Sequence, residues 1–334
     1  MIEKVPFGVA IKLDRNARIS LAVAILLAAV LLYYSFKGID MAELGKTLKN
    51  ADPAPLGISL LLSSFALWLR SYRWRVLLNT NETLPISSVF WANAIGYLGN
   101  NVLPARMGEL MRVEALKRRH NVSRSYLLAT ALIERVMDAG VLVLFTSAAL
   151  LTIPGLPEWL QKASRTFSVL SGIGILTLFL LPHAEGIVSR LMTSVPKISH
   201  IASRFLSGLR SLHSWWRSIQ FLILTLTIWP IDSYTGVLVA RSIGLDLSFQ
   251  TSMVVLAALG LSSAIPSTPG YVGVFQFVAV NVMRPFGVPS AAAIAWILIY
   301  QGVNYITQLI FGFIGFGVMS REIQAPAALD NGLT

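Results

Sequence analysis

Ionisable side chains lie inside an apolar stretch of the sequence, where hydrocarbon would surround them. The stretch from Tyr126 to Leu151 contains Glu134, Arg135 and Asp138. In a helix, Glu134 and Asp138 share one face at i,i+4, while Arg135 neighbours Asp138 at i,i+3. Two carboxylates beside one guanidinium leave a local charge of about −1 when all are ionised. Because intramembrane charges are costly and usually functional, this trio is a candidate gate or proton-coupled site. The structural alternative is an ionic clasp between helices.

A second charged set follows an apolar segment that contains a proline. Arg106, Glu109 and Arg112 recur every three positions, so they share one face of a helix that is predicted to begin just after Pro104. The free N–H groups at a helix start attract anions, and an adjacent arginine completes a phosphate site. These three residues are therefore candidate substrate-binding residues.

The same combination of an apolar segment and a break recurs between Phe249 and Met283. Here Ser267 or Thr268 is the predicted N-cap of the returning helix, with Pro269 at its first position. Thr268 and Gly270 are added to the candidate binding residues. The predicted structural breaks of the two regions are Pro104, Gly108, Pro266, Pro269 and Gly273.

Amide side chains supply further polar candidates within apolar sequence. Asn100 and Asn101 precede the first break and can bond its freed backbone groups. Asn304 belongs to a stripe with Gln301 and Gln308 at i, i+3 and i+7. Hydrogen bonding between helices explains this stripe about as well as a substrate path does.

The composition says which elements must position these residues. The 334 residues are 55% apolar and only 13% charged, with a mean hydropathy of +0.67. A soluble domain carries about 25% charge, so lipid is the expected solvent of this chain. The sequence has no cysteine, which excludes a disulfide scaffold, thiol catalysis and Cys-ligated metal. No metal site and no cofactor are predicted.

Six stretches approach the roughly 20 apolar residues that a membrane-spanning helix needs. They are 18–36, 53–78, 126–151, 166–181, 219–239 and 291–319. Two further regions, 86–116 and 249–283, are apolar on both sides of their breaks. We predict re-entrant helical hairpins there, and the alternative is two more full spans in each region.

Lysine and arginine are distributed unevenly between the two sides of these spans. Nineteen fall on one side and seven on the other, which predicts a multi-pass protein in the plasma membrane of a prokaryote with both termini cytoplasmic. This asymmetry accounts for most of the excess charge behind the net charge of +11, so nucleic acid is not needed as a partner. The arginines of 70–75 are interpreted as interfacial anchors. The stretch 185–217 is interpreted as an amphipathic helix on anionic inner-leaflet lipids.

A constant offset relates the two halves of the chain. Pro266 lies 162 positions after Pro104, and Gly270 lies 162 after Gly108. The same shift superposes span 53–78 on the fifth span and span 126–151 on the sixth. The predicted fold is an all-α polytopic membrane protein with two inverted repeats, each of three transmembrane helices plus a broken re-entrant hairpin. The predicted organisation is a single domain, 1–334, with repeats at 17–160 and 165–320 and a cytoplasmic tail at 321–334.

Three motifs in this order resemble one known family. They are Gly96 to Glu109 (GYLGNNVLPARMGE), Glu134-Arg135-x-x-Asp138, and Pro266-x-x-Pro269-Gly270-x-x-Gly273. The run is similar to the lysylphosphatidylglycerol synthase transmembrane-region family, also called flippase-like or UPF0104, across nearly the whole chain. In larger members, such as the multiple peptide resistance factor, a domain of this kind precedes a synthase domain and flips aminoacylated phospholipid. The present sequence stops soon after Arg321, so lysyl transfer is not expected.

The resemblance implies translocation of a phospholipid or a polyprenyl-linked lipid, with an anionic or aminoacylated headgroup. We therefore expect a flippase and not an enzyme. The alternatives are a secondary transporter of a small anionic solute, an intramembrane lipid-modifying enzyme, and an accessory subunit. The expected partners are a membrane lipid substrate and anionic inner-leaflet lipids. A lipid synthase, a glycosyltransferase and a second copy of the chain are further candidate partners.

Overall fold

The computed structural model describes residues 15–78, 83–103, 106–120, 122–152, 158–184, 208–263 and 268–329. These residues form eleven α-helices and short 3₁₀ turns, and they contain no strand. The helices are α1 Arg15–Phe36, α2 Met41–Lys49, α3 Pro53–Leu78, α4 Ile86–Val102, α5 Gly108–Arg119, α6 Arg124–Leu151, α7 Glu158–Leu180, α8 Trp215–Ser242, α9 Phe249–Ser262, α10 Val274–Met283 and α11 Ser290–Leu329. The predicted all-α class is confirmed.

All six predicted spans lie within helices. Four segments are long and apolar enough to cross a membrane: Pro53–Leu78, Gln161–His183, Trp215–Ser242 and Ser290–Ser320. Helix α1 and the short α2 form a bent pair, with 90° between them, that would count as a fifth span. Helix α6 has 28 residues but carries three charged residues in its middle. The chain is a polytopic helical membrane protein.

The two interrupted regions fold as pairs of short helices. The first pair is α4 and α5, with 17 and 12 residues, and the second is α9 and α10, with 14 and 10 residues. Each is shorter than the roughly 20 residues that a span requires. These lengths suit the predicted re-entrant hairpins. Pro104 and Pro266 lie outside the described residues.

The returning helix of the first hairpin begins later than predicted. It starts at Gly108 and not just after Pro104, so Arg106 lies in the link and not on the helix face. The reason is close packing: a Cβ on Gly108 would collide with the carbonyl oxygen of Gly96 and with Asn100. The chain can double back only where no side chain stands between the two helices.

The second hairpin also differs from its predicted start. Thr268 does precede a helical turn with Pro269 at its first position, but that turn is a 3₁₀ turn of three residues. The Thr268 hydroxyl makes no capping bond and donates to the Val272 carbonyl at 2.7 Å. The returning helix α10 starts at Val274, after Gly273 with a φ of 89°.

Helices α3 and α8 form the central pair of the fold. At one end the Asp52 N–H donates to the Ser242 carbonyl at 2.7 Å, and at the other Arg73 donates to Thr225 at 3.3 Å. The start of α3 contacts the end of α8, and a later residue of α3 contacts an earlier residue of α8. The two helices therefore run antiparallel. Helix α8 begins at Trp215, 162 positions after Pro53 at the start of α3. Antiparallel packing is what an inverted repeat predicts for these helices, and the inversion of the complete halves stays a prediction.

Each half packs its hairpin against the last helix of the other half. Helix α4 lies on α11, where a Cβ on Gly312 would meet Leu98. Helix α9 lies on α6, where a Cβ on Gly260 would meet Leu142. Small residues at such crossings let helices approach closely in a bilayer. These contacts tie each hairpin to the other half of the chain.

Candidate functional site

A cavity of about 190 Å³ lies between the two breaks. Its walls come from α3, α4, α6, α8, α9, α10 and α11, together with residues of both breaks. Six of the sequence-predicted site residues line it: Asn100, Asn101, Arg106, Arg135, Asp138 and Asn304. The structure therefore gathers into one cavity residues that are more than 200 positions apart in the sequence.

The other predicted binding residues lie behind this lining. Glu109 and Arg112, on α5, and Glu134, on α6, belong to a network of ion pairs next to the cavity. Thr268 lies in the second break, where its hydroxyl donates to the Val272 carbonyl. The carbonyl of Gly270 accepts hydrogen bonds from Gln301, at 3.1 Å, and from the Tyr305 hydroxyl.

Arg73 is the centre of the buried ion-pair network. Its side chain is 2% exposed and donates to Asp138 at 2.5 and 3.1 Å and to Glu134 at 3.3 Å. The second carboxylate oxygen of Glu134 accepts from Arg112 at 2.9 Å. Glu134 is therefore held between two guanidinium groups, one from α3 and one from α5.

Glu109, an acid on α5, completes the network. Glu109 lies 2.7 Å from Arg112 and accepts from Arg135, whose Nε is 3.1 Å away. Arg135 also lies 3.8 Å from Asp138. Arg112 is further fixed by Asn93, whose side-chain oxygen it reaches at 3.0 Å. These pairs tie the first hairpin to α6.

Arg70 faces the cavity and pairs with Asp232 of α8. The interpretation of the arginines in 70–75 as interfacial anchors is therefore wrong for Arg70 and Arg73. Both point inward because carboxylates on α6 and α8 offer them buried partners, and a buried charge is stable only when paired.

The charge of the whole cluster is positive. Four carboxylates, Glu109, Glu134, Asp138 and Asp232, meet five guanidinium groups, Arg70, Arg73, Arg106, Arg112 and Arg135. The local charge of −1 expected from α6 alone is thus overturned by arginines from α3 and α5. In the described part of the chain, no group of three or more His, Asp or Glu is placed to hold a metal ion.

Arg106 is the cluster's arginine without a carboxylate partner among the described residues. It donates to the hydroxyl of Ser263, at the end of α9, and its guanidinium lies 5.9 Å from the centre of the Tyr271 ring. Its buried Nε has no hydrogen-bond partner. Arg106 and Tyr271 have φ values of 56° and 58°, and no other described non-glycine residue has a positive φ. Strained backbone of this kind clusters at functional sites, and here each break holds one such residue.

Amides and tyrosines form the rest of the cavity wall. Asn101 donates to Gln308 at 2.7 Å, and Ser63 donates to Asn304 at 3.1 Å. These bonds join the first hairpin and α3 to α11. The predicted polar stripe of α11 thus binds neighbouring helices and lines the cavity at the same time.

Sequence reasoning missed several of the lining residues. The sequence pattern interprets Arg70 as an interfacial anchor, and it selects neither Asp232 nor the tyrosines at 97, 271, 300 and 305 as binding residues. One signal could have found the first two: Arg70 and Asp232 are 162 positions apart, which is the repeat offset. The tyrosines carry no such signal, because aromatic residues are common throughout membrane helices.

The comparisons with known proteins agree on one kind of protein. The family model described as "Lysylphosphatidylglycerol synthase TM region" matches residues 20–312. A UPF0104 membrane protein of Methanocaldococcus jannaschii is 28% identical over 67% of this chain and 95% of its own length. A second UPF0104 membrane protein of that organism is 21% identical over 88% and 93%. The protein named glycosyltransferase AglD, of Haloferax volcanii, is 24% identical over 94% of this chain and 56% of its own length.

Proposed function

This chain belongs to the lysylphosphatidylglycerol synthase transmembrane-region family, and we propose that it is a lipid flippase that carries a lipid headgroup across the membrane through the central cavity. The observation that carries this proposal is Arg106: a cationic side chain that makes no ion pair with a described carboxylate, lies in the link of a broken hairpin and faces a cavity lined by residues of both hairpins. Broken helices in corresponding positions of two halves are the usual location of a transport site.

The size of the cavity supports transport of a headgroup alone. Its volume of about 190 Å³ is below the roughly 300–1,000 Å³ of pockets that enclose a drug-sized ligand. A headgroup fits such a space, whereas two acyl chains do not. The chains therefore remain in the surrounding bilayer while the head follows the polar route.

The paired arrangement of the breaks supports access from both leaflets. Arg106 comes from the first break and touches Ser263 and Tyr271 of the second hairpin. If the two hairpins separated first towards one leaflet and then towards the other, the cavity would open to each leaflet in turn. The proposed setting is the plasma membrane of a prokaryote, with both termini in the cytoplasm.

One relative bears on the partners of the proposed flippase. It is named a glycosyltransferase, and the region similar to this chain covers 56% of it. We propose that this chain works beside an enzyme that makes or consumes the transported lipid, a lipid synthase or a glycosyltransferase, and that copies of the chain associate. Anionic lipids of the inner leaflet are its proposed surroundings.

The test is lipid movement in vesicles that contain the purified protein. Fluorescent phosphatidylglycerol in the outer leaflet is bleached by a membrane-impermeant reductant, and the bleached fraction reports the exchange of leaflets. Wild-type protein is expected to make nearly all of the label accessible. Arg106→Gln is expected to slow exchange by about tenfold, because a factor of about ten corresponds to the loss of one ionic hydrogen bond. Arg284→Gln is the matched control, because Arg284 is exposed in the turn after α10.

The outcome also separates the alternative functions. If vesicles with wild-type protein exchanged lipid no faster than vesicles without protein, the flippase proposal would be overturned. Uptake of a soluble anion such as inorganic phosphate by the same vesicles would favour the solute transporter. A change in the mass of the labelled lipid after incubation would favour a lipid-modifying enzyme.

A further inference from the structure

We infer that the cavity selects a lipid with a phosphate-bearing, hydroxylated headgroup of net negative charge, and that it rejects a headgroup carrying an amino group, as in an aminoacylated lipid. This inference rests on the proposed flippase function and specifies its substrate class. It follows from how the charges around the cavity are already paired.

Each of the two carboxylates that line the cavity is already paired with an arginine. Asp138 accepts from both terminal nitrogens of Arg73, at 2.5 and 3.1 Å, and from the indole N–H of Trp229 at 3.2 Å. Asp232 accepts from both terminal nitrogens of Arg70. An ammonium group could pair with a carboxylate of the cavity only by displacing a guanidinium, which would leave a buried arginine without its partner.

The acids behind the lining are also paired with arginines. Glu134 is shared by Arg73 and Arg112, and Glu109 is shared by Arg112 and Arg135. Neither lines the cavity, so neither offers an oxygen to a bound headgroup. Among the described residues, each carboxylate in or next to the cavity is therefore already paired with arginine.

The balance for an anion is the opposite. Arg106 lines the cavity and makes no ion pair with a described carboxylate; it donates to a hydroxyl and lies beside an aromatic ring. A phosphate is a stronger acceptor for a guanidinium than a hydroxyl is, because it is itself charged and can accept two parallel N–H bonds. With five arginines against four acids in the cluster, one bound monoanion brings the net charge to zero.

The neutral part of the wall suits hydroxyl groups. Tyr97, Tyr300, Tyr305 and the amides of Asn100, Asn101 and Gln308 surround the cavity. Amides and phenols both donate and accept hydrogen bonds, as hydroxyl groups do. Aromatic rings also cover the apolar C–H faces of a glycerol or sugar. A headgroup that combines phosphate and hydroxyls would thus find a partner for each of its groups.

Equilibrium binding tests the selectivity separately from transport. The full-length protein in detergent is titrated with short-chain phosphatidylglycerol, its lysyl ester, and phosphatidylmethanol, which has the same charge but no hydroxyl. Quenching of tryptophan fluorescence reports binding. We expect phosphatidylglycerol to bind at least about tenfold more tightly than the lysyl ester, and a few-fold more tightly than phosphatidylmethanol.

Substitution of Arg106 provides the second arm. Arg106→Gln should reduce the affinity for phosphatidylglycerol by about tenfold, and Arg106→Glu should reverse the preference in favour of the lysyl ester. Arg284→Glu, which makes the same charge change at an exposed position, should leave the preference unchanged. Should the Arg106 variants fail to fold, the comparison of the three lipids on the wild-type protein still decides.

The outcomes distinguish the inference from the proposed function. Equal or tighter binding of the lysyl ester would overturn the inferred selectivity while leaving a flippase intact. Equal binding of phosphatidylmethanol would overturn the role given to the hydroxyls. Selective binding of phosphatidylglycerol without any movement in vesicles would support the selectivity and overturn the flippase.

Discussion

Arg70 on α3 and Asp232 on α8 form an ion pair, and the two residues are separated by 162 positions, the same offset that relates the two breaks. Residues at equal positions of two repeats touch only where the symmetry axis passes between them. The antiparallel packing of α3 and α8 meets this condition. We therefore interpret Arg70 and Asp232 as neighbours of a pseudo-twofold axis that runs through the base of the cavity.

Exchange of the two charges tests this interpretation. Arg70→Asp alone and Asp232→Arg alone each place two like charges in a nearly buried pair, so each should cost about 3–5 kcal/mol of folding free energy. The double variant restores an ion pair and, because the two positions are equivalent, should recover most of that loss. Thermal unfolding in detergent, followed by tryptophan fluorescence, measures the three variants.

The matched control for this exchange is Arg241→Asp, an exposed position near the end of α8. It makes the same change as Arg70→Asp and should alter the unfolding temperature little. A double variant no more stable than either single variant would contradict equivalent surroundings for the two positions.

The helices of this protein could be predicted from hydropathy, but the partners of its charges could not. All six apolar stretches are helical, since lipid leaves a backbone no alternative to internal hydrogen bonds. The inward direction of Arg73 depends on Glu134 and Asp138, which lie 61 and 65 positions further along the chain. An arginine near a helix end can lie at the membrane interface or pair with a buried carboxylate. The sequence does not say whether a carboxylate is within reach.

The start of α5 was unpredictable for a different reason. Proline restricts the first turn of a helix, and that rule placed the start just after Pro104. The decisive constraint is the approach of Gly108 to Gly96 on the preceding helix, a contact in space that no local rule contains.

Gly108→Ala should therefore disturb the first hairpin. The added methyl group would meet the Gly96 carbonyl and the Asn100 side chain, so α5 must shift away from α4. Overpacking of this kind costs about 1–3 kcal/mol, and the shift would move Arg106 relative to the cavity. We expect a lower unfolding temperature and a several-fold slower lipid exchange, measured with the same preparation of protein.

Gly302→Ala is the control for this substitution, because a Cβ at Gly302 in α11 has nothing within 4 Å. It should leave both stability and exchange close to the wild-type values. Wild-type behaviour of Gly108→Ala would show that the two helices of the hairpin have room to separate.

Cross-linking of the first break to α11 tests whether the hairpin must move during transport. The Asn101 side chain donates to Gln308 at 2.7 Å, and this contact joins the edge of the break to the last helix. The chain has no cysteine, so Asn101→Cys with Gln308→Cys places the only two thiols in the protein. A short bismaleimide reagent, whose thioether bonds withstand the reductant of the exchange assay, should link them in vesicles and stop lipid exchange. Each single-cysteine variant, treated in the same way, should keep its exchange rate. Full exchange by the cross-linked protein would mean that lipid passes while the break stays fixed to α11, and the gating role of the hairpin would have to be abandoned.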